Sequence, residues 1–67
     1  MRFKTGIKVQ HIDTKKIGVV TREPYSVARY GGRRMVEYVD VGVPEGAWTI
    51  TRQWNTDNVR EVRNGAR

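Results

Sequence analysis

Cysteine is absent from this chain of 67 residues. Disulfides and thiolate metal sites are therefore excluded, and the fold has to rely on packing and backbone hydrogen bonds. No apolar run approaches the roughly 18 residues of a membrane span, and the opening Met-Arg-Phe-Lys-Thr lacks the apolar stretch of a secretory signal. These absences predict a soluble, cytoplasmic protein.

Residue patterns that carry catalysis are also missing. His11 is the one histidine, and its alternation with Ile7 and Val9 favours a half-buried strand residue over a base or a metal ligand. Ser26 has no matching base, and neither a phosphate loop nor metal-ligand spacing occurs. We therefore expect a protein that is not an enzyme and that uses no cofactor or metal.

Basic residues outnumber acidic ones by 13 to 7, which gives a net charge of +6. Such an excess predicts attraction to polyanions, nucleic acid above all, but only if the charges gather on one face.

Alternating apolar and polar residues predict five strands, whereas no window has a sustained helical period. The strands are expected at residues 7–12, 17–22, 35–41, 48–54 and 59–62. Turns are expected at residues 13–16 and 42–46, and a 3₁₀ turn near residues 55–58. Because no helix is available to cover an open sheet, the sheet must curl on itself into a small antiparallel barrel.

Residues 23–34 are predicted to form one long loop, because Pro24, Gly31 and Gly32 interrupt any regular pattern. A single domain is expected over residues 1–62, followed by a frayed basic tail at residues 63–67. Apolar positions of the strands predict a core of Val9, Val19 or Val20, Val36, Trp48, Ile50 and Val59. Trp54 lies near a strand end, where it either joins the core or forms a stacking platform with Tyr38.

Several short motifs resemble the SH3-like barrels, and the opening is similar to modules of the KOW and Tudor type. The motifs are Phe3-Lys4-Thr5-Gly6-Ile7-Lys8-Val9, Lys16-Ile17-Gly18-Val19-Val20, Val36-Glu37-Tyr38-Val39-Asp40, Trp54 and Asn58-Val59. The resemblance implies a five-stranded all-β barrel whose loops recognise RNA, DNA or peptides. Polyproline binding is disfavoured, since the long loop is basic where peptide-binding SH3 modules usually carry acidic residues.

Arginines and tyrosines are interleaved between residues 22 and 34. Guanidinium groups bind phosphate bidentately and aromatic rings stack on unpaired bases, so this mixture suits nucleic acid. A solvated hairpin whose tyrosines cover the barrel end explains the pattern equally well. A second basic cluster consists of Lys8, Lys15 and Lys16, with Arg2 and Lys4 nearby in the sequence. It supports nucleic-acid binding only if the fold brings it beside the predicted loop. The candidate nucleic-acid-binding residues are Arg22, Arg29, Arg33, Arg34, Lys15, Lys16, Tyr25 and Tyr30.

Three functional hypotheses follow. The first is a basic module that binds nucleic acid with little sequence discrimination. The second is a protein-interaction module that engages an acidic partner or a strand edge, of the accessory kind encoded by phages, plasmids and other mobile elements. The third, an enzyme assembled by oligomerisation around a shared pore, has no residue pattern in its favour.

Overall fold

Five antiparallel strands form one sheet in the computed structural model, which describes residues 3–62. A single 3₁₀ helix, η1, is the only helical element in that range, and the strand order is β4-β3-β2-β1-β5. The expected all-β, five-stranded antiparallel fold is confirmed. The elements are β1 (Lys8–His11), β2 (Ile17–Arg29), β3 (Arg34–Glu45), β4 (Trp48–Asn55), η1 (Thr56–Asn58) and β5 (Val59–Glu61).

The sheet curls around one apolar face, although hydrogen bonds do not close it into a ring. β4 and β5 remain its two edges. The curl brings β1 towards β4, where the edge of the His11 ring meets the Trp54 indole with ring centroids 5.0 Å apart. His11 is half-buried, as its alternation with Val9 predicts. We call this part of the molecule, residues 3–22 and 39–62, the barrel.

Small β-branched side chains dominate the core, as expected for a chain that has little surface to bury. Burial confirms the prediction for Val9, Val59 and the second member of the Val19 or Val20 pair. Ile7 packs against this cluster from outside. The core consists of Phe3, Val9, Val20, Val39, Val41, Val43, Trp54 and Val59.

Three predicted core residues lie elsewhere. Trp48 is 77% exposed and Ile50 is 41% exposed, whereas Trp54, on the same face of β4, is 8% exposed. The cause is position along an edge strand: Trp54 lies opposite Val39 in the core, whereas Trp48 lies opposite Glu45 at the end of the sheet. Val36 is half-buried because it belongs to the part of β3 that extends beyond the barrel.

Gly18 allows β2 and β3 to approach closely. A Cβ built at this position would lie 2.5 Å from Val41 Cγ1 and 2.6 Å from the carbonyl oxygen of Gly42. No side chain fits at these distances, so the glycine marks a close backbone crossing. Further along β2 the strand has two irregularities, because its pairing with β3 shifts register between Val20 and Arg22 and again between Arg22 and Tyr25.

The predicted loop at residues 23–34 is wrong, because strand pairing continues through most of it. β2 runs on to Arg29 and β3 begins at Arg34, so that only residues 30–33 form the turn. Pro24 falls within the second register shift, where the ladder is already interrupted and a missing N–H costs no regular hydrogen bond.

The turn expected at residues 42–46 is also wrong in extent. β3 continues to Glu45, and the chain reverses at residues 46–47. Pro44 is tolerated because the β2 pairing ends at Gly42, so that Pro44 pairs with Thr49 of β4 alone. The 3₁₀ turn near residues 55–58 is confirmed, with the Asn55 side chain accepting a hydrogen bond from the Asp57 N–H.

The tail predicted at residues 63–67 lies outside the described residues. Within residues 3–62, no helix has the length and apolar character that crossing a membrane requires.

Candidate functional site

The distal part of the β2–β3 hairpin is a ribbon of only two strands. Pairing between β3 and β4 stops at Tyr38 and Asn55, whereas pairing between β2 and β3 continues as far as Arg29 and Arg34. Residues 26–37, here called the ribbon, therefore have no third strand beside them. The long dimension of the molecule, 42 Å against 29 and 21 Å, reflects this extension.

Local sequence explains why the ribbon forms. Val27 and Val36 are cross-strand partners, and β-branched pairs of this kind stabilise a sheet. The chain then reverses through Tyr30, Gly31 and Gly32, all of which have positive φ values of 56°, 67° and 84°. Glycine adopts this backbone without steric cost, which is why two glycines occur at the tip. Tyr30 holds the left-handed conformation without that advantage.

Arginines flank two neighbouring tyrosines, whose rings are tilted relative to each other, on one face of the hairpin. The rings of Tyr25 and Tyr38 are cross-strand partners with centroids 6.5 Å apart. The Arg22 guanidinium lies 4.1 Å from the centre of the Tyr25 ring, and that of Arg29 lies 5.1 Å from the Tyr38 ring. Arg29 also donates from Nε to the Tyr38 hydroxyl at 3.0 Å. We call Arg22, Tyr25, Arg29, Arg34 and Tyr38 the arginine–tyrosine face.

A hydrogen-bond network fastens this face to the barrel. The Tyr25 hydroxyl donates to Asp40 Oδ1 and accepts from Gln53 Nε2 at 2.9 Å. The hydrogen bond to Asp40 raises the pKa of Tyr25 above its usual value, with partial burial acting in the same direction. At the other side of the ribbon base, Thr56 Oγ1 donates to Glu37 Oε1 at 2.9 Å. Both contacts orient the ribbon relative to the barrel.

Positive charge accumulates at the ribbon tip. Arg29 and Arg34 are direct cross-strand partners, and Arg33 lies in the turn between them, next to Arg34. Like charges opposite each other destabilise a strand pair. Ion pairs within residues 3–62 join Lys16 and Arg52 to Glu45, so no carboxylate of the described chain neutralises these three guanidinium groups.

Tyr30 projects from the same tip and is 73% exposed. Beside it, a groove of about 350 Å³ lies between β3 and η1. Polar atoms provide most of its surface. The residues lining it are Tyr30, Arg34, Met35, Val36, Glu37, Tyr38, Asn55, Thr56 and Asp57.

The two predicted lysines lie at the opposite end of the molecule. Lys15 and Lys16 precede β2 and Arg29 ends it, so the 13 residues of the strand separate them, a span of at most about 40 Å at the usual rise per residue. Lys16 Nζ donates to Glu45 Oε2 at 2.8 Å, and this hydrogen bond lowers the pKa of Glu45 below its usual value. The fold therefore gathers the predicted arginines and tyrosines on one hairpin and leaves both lysines apart from them.

Three residues of the arrangement, namely Tyr38, Asp40 and Gln53, are not among the predicted nucleic-acid-binding residues, and the sequence suggests Tyr38 only as a stacking partner of Trp54. Their contacts with Tyr25 depend on the two register shifts in β2, and those shifts leave no clear signal in the residue pattern. Tyr38 is paired with Tyr25 and not with Trp54, whose ring packs into the core.

No three His, Asp or Glu side chains among residues 3–62 are grouped to hold a metal ion. Comparisons of this chain with protein-family models, with curated proteins and with solved structures find no match.

Proposed function

We propose that the protein binds nucleic acid through the ribbon, using the tip arginines on phosphates and Tyr30 on an unpaired base. The observation that carries this proposal is the cross-strand pair of Arg29 and Arg34, with Arg33 beside it and no described carboxylate in contact. Holding these charges together lowers the stability of the hairpin, because the opposed guanidinium groups repel each other.

A phosphate backbone relieves that repulsion. Guanidinium groups form charge-assisted, often bidentate hydrogen bonds with phosphate oxygens, and two neighbouring groups can contact successive phosphates. Since contacts of this kind position a protein without reading bases, we expect little sequence discrimination. A two-stranded ribbon also has the width that the DNA major groove accepts, so duplex binding is included in the proposal.

Single strands gain an additional contact at Tyr30. The Tyr25 and Tyr38 rings already lie beneath Arg22 and Arg29, whereas Tyr30 is exposed at the tip next to the groove. An exposed ring beside arginines provides a stacking surface that any unpaired base can use. The absence of cysteine fits a reducing compartment, and a cytoplasmic location is part of this proposal.

The test is a fluorescence-anisotropy titration with labelled single-stranded RNA, single-stranded DNA and duplex DNA at several salt concentrations. Affinity should fall steeply with salt, with a log–log slope of about −0.9 per duplex phosphate neutralised and about −0.7 per single-strand phosphate. Arg33→Gln combined with Arg34→Gln should weaken binding to unrelated sequences about equally and flatten the slope by about 1–2 units.

A matched control distinguishes the effect of the tip arginines on binding from the effect of net charge. Lys4→Gln combined with Lys8→Gln removes the same charge from exposed barrel positions. This variant should retain most of the affinity if the ribbon is the binding element. Equal weakening by both double variants would show that charge acts diffusely, and an absence of binding at low salt would favour the protein-interaction hypothesis.

Tyr30→Asn removes the ring and introduces a residue that tolerates the left-handed backbone at this position. It should weaken single-strand binding by about 1–3 kcal/mol and duplex binding by less, because a closed duplex offers few free base faces. Equal losses for both probes would assign Tyr30 a role in the shape of the tip.

A further inference from the structure

β4 is an edge strand whose sequence provides one usual protection against strand pairing, the single charged side chain Arg52. It pairs with β3 alone among the described strands, and its eight residues follow β3 without a register shift. The segment contains no proline and no lysine, and no bulge turns it away. Proteins usually protect such edges by one of these devices. Within residues 3–62, no strand pairs with the outward backbone groups of β4.

Exposed apolar side chains accompany this edge. Trp48, 77% exposed, and Ile50, 41% exposed, are on the same face of the sheet. Their cross-strand neighbours are Glu45 and Val43 of β3. Burying a large aromatic residue is among the strongest contributions to an interface, and Trp48 is held here at the rim with most of its surface in solvent.

We infer that β4 pairs antiparallel with β4 of a second copy, with Ile50 on the two-fold axis. The sequence Trp48-Thr49-Ile50-Thr51-Arg52 is self-complementary in this register. Trp48 stands opposite Arg52 of the second copy, Thr49 opposite Thr51, and Ile50 opposite itself. A guanidinium over an indole is a favourable cation–π pair, and Thr–Thr pairs stabilise antiparallel strands.

Neighbouring registers match less well. An axis at Thr51 opposes Ile50 to Arg52, and it opposes Trp48 to Trp54, which is already packed in the core. An axis at Thr49 uses only the first three residues of β4, because Gly46 and Ala47 form the turn. The Ile50 axis is the register that matches every side chain from Trp48 to Arg52. A two-fold axis also limits the assembly to a dimer at this edge.

The proposed interface does not rest on nucleic-acid binding. Trp48 pairs with Glu45, at the end of β3 that is opposite to Arg34 and the ribbon tip. The dimer consequently leaves both ribbons exposed. An experiment can therefore disprove dimer formation without disproving nucleic-acid binding, and the reverse.

Sedimentation equilibrium of the whole chain, from micromolar to near-millimolar concentrations at high salt, tests the dimer. We expect a monomer–dimer equilibrium whose dissociation constant rises at least about tenfold in Ile50→Lys, since two ammonium groups would then face each other at the axis. Ile17→Lys is the matched control, because Ile17 is also on a strand and is 43% exposed. A monomer at every concentration, or equal effects of the two variants, would overturn the proposal.

Single-cysteine variants test the register, since the chain has no cysteine of its own. Directly opposed Cβ atoms in an antiparallel pair are about 4.5–5.5 Å apart, close to the span of a disulfide. Under air oxidation, Ile50→Cys should form covalent dimers faster than Thr49→Cys or Thr51→Cys. Faster cross-linking at either threonine position would overturn the Ile50 axis.

Discussion

The barrel and the ribbon are built from the same two strands, yet different interactions hold them. In the barrel, β2 and β3 have neighbours on both sides and bury Val20 and Val41 almost completely. In the ribbon they have only each other, and their best-buried pair, Val27 and Val36, remains partly accessible to solvent. The barrel is stabilised by excluding water, and the ribbon by backbone pairing and half-buried cross-strand side chains.

Charge is distributed differently as well. The barrel joins Lys16 and Arg52 to Glu45, whereas the ribbon tip holds three arginines with no described acidic contact. Burial and ion pairs therefore stabilise the barrel, whereas the ribbon tip has little of either. Regions that are weakly buried and carry unbalanced charge are typical places for binding.

The largest effect on stability should come from the barrel tryptophan. Trp54→Ala should lower the free energy of unfolding by about 3–5 kcal/mol, because it empties the core between Val39 and His11. Trp48→Ala, its control on the same strand, should cost less than about 1 kcal/mol, measured in dilute solution by urea denaturation. Similar losses in both variants would show that Trp48 is buried in solution.

Crowding at Gly18 should produce the next largest effect. Gly18→Ala forces a methyl group against Val41 and the backbone of Gly42, so we expect a loss of about 1–3 kcal/mol. Gly42→Ala is the control, since its Cβ would meet no atom closer than Thr49 Cγ2 at 3.3 Å. Thermal unfolding followed by circular dichroism compares the two variants, and Gly42→Ala should retain more stability.

Removing the ribbon should affect stability less than either barrel change and affect binding more. Replacing residues 27–36 by Asn-Gly joins Ser26 to Glu37 through a two-residue hairpin turn. The shortened chain should lose no more than about 1–2 kcal/mol, since only half-buried side chains are removed and a shorter loop closes more readily. Its affinity for oligonucleotides should fall to a weak residual level. Unfolding of the shortened chain would contradict the division into barrel and ribbon.

The smallest effect concerns pH at the junction of the two regions. The raised pKa of Tyr25 means that folding favours its neutral form. Its contribution to stability is thus fully present below pH 10.0, the unperturbed value, and is lost as pH rises through the folded pKa. Urea denaturation at increasing alkaline pH should show a steeper decline for the natural chain than for Tyr25→Phe. Parallel declines would indicate that the hydrogen bond to Asp40 does not form in solution.

Comparison of the two tryptophans shows where sequence patterns fail. Alternation places Trp48, Ile50 and Trp54 on one face of β4, and the structure agrees. The pattern does not specify how far the neighbouring strands extend along that face. Because the core covers only the Trp54 end, Trp54, for which the pattern leaves a platform as an alternative, is buried, and Trp48, which the pattern assigns to the core, is exposed.

The sequence pattern indicates several residues of the candidate site, but not how those residues are arranged. Arg22, Tyr25 and Arg29 were recognised from their interleaving between residues 22 and 34. Their shared face and the partnership of Tyr25 with Tyr38 depend on two register shifts that reset the alternation. A proline and two glycines near one another predicted a loop, although the proline lies in a bulge and the glycines form the tip of a hairpin.

Local patterns in the sequence by themselves determined the all-β class, the five strands and the 3₁₀ turn. These features follow from backbone preferences and from an alternation of period two, both of which act over a few residues. Tertiary structure alone decided which end of β4 is covered, that the ribbon has no third strand, and that Lys15 and Lys16 lie far from the tip. Those features depend on register and strand length between distant segments, which are set by the packing of the whole sheet and not by any short run of residues.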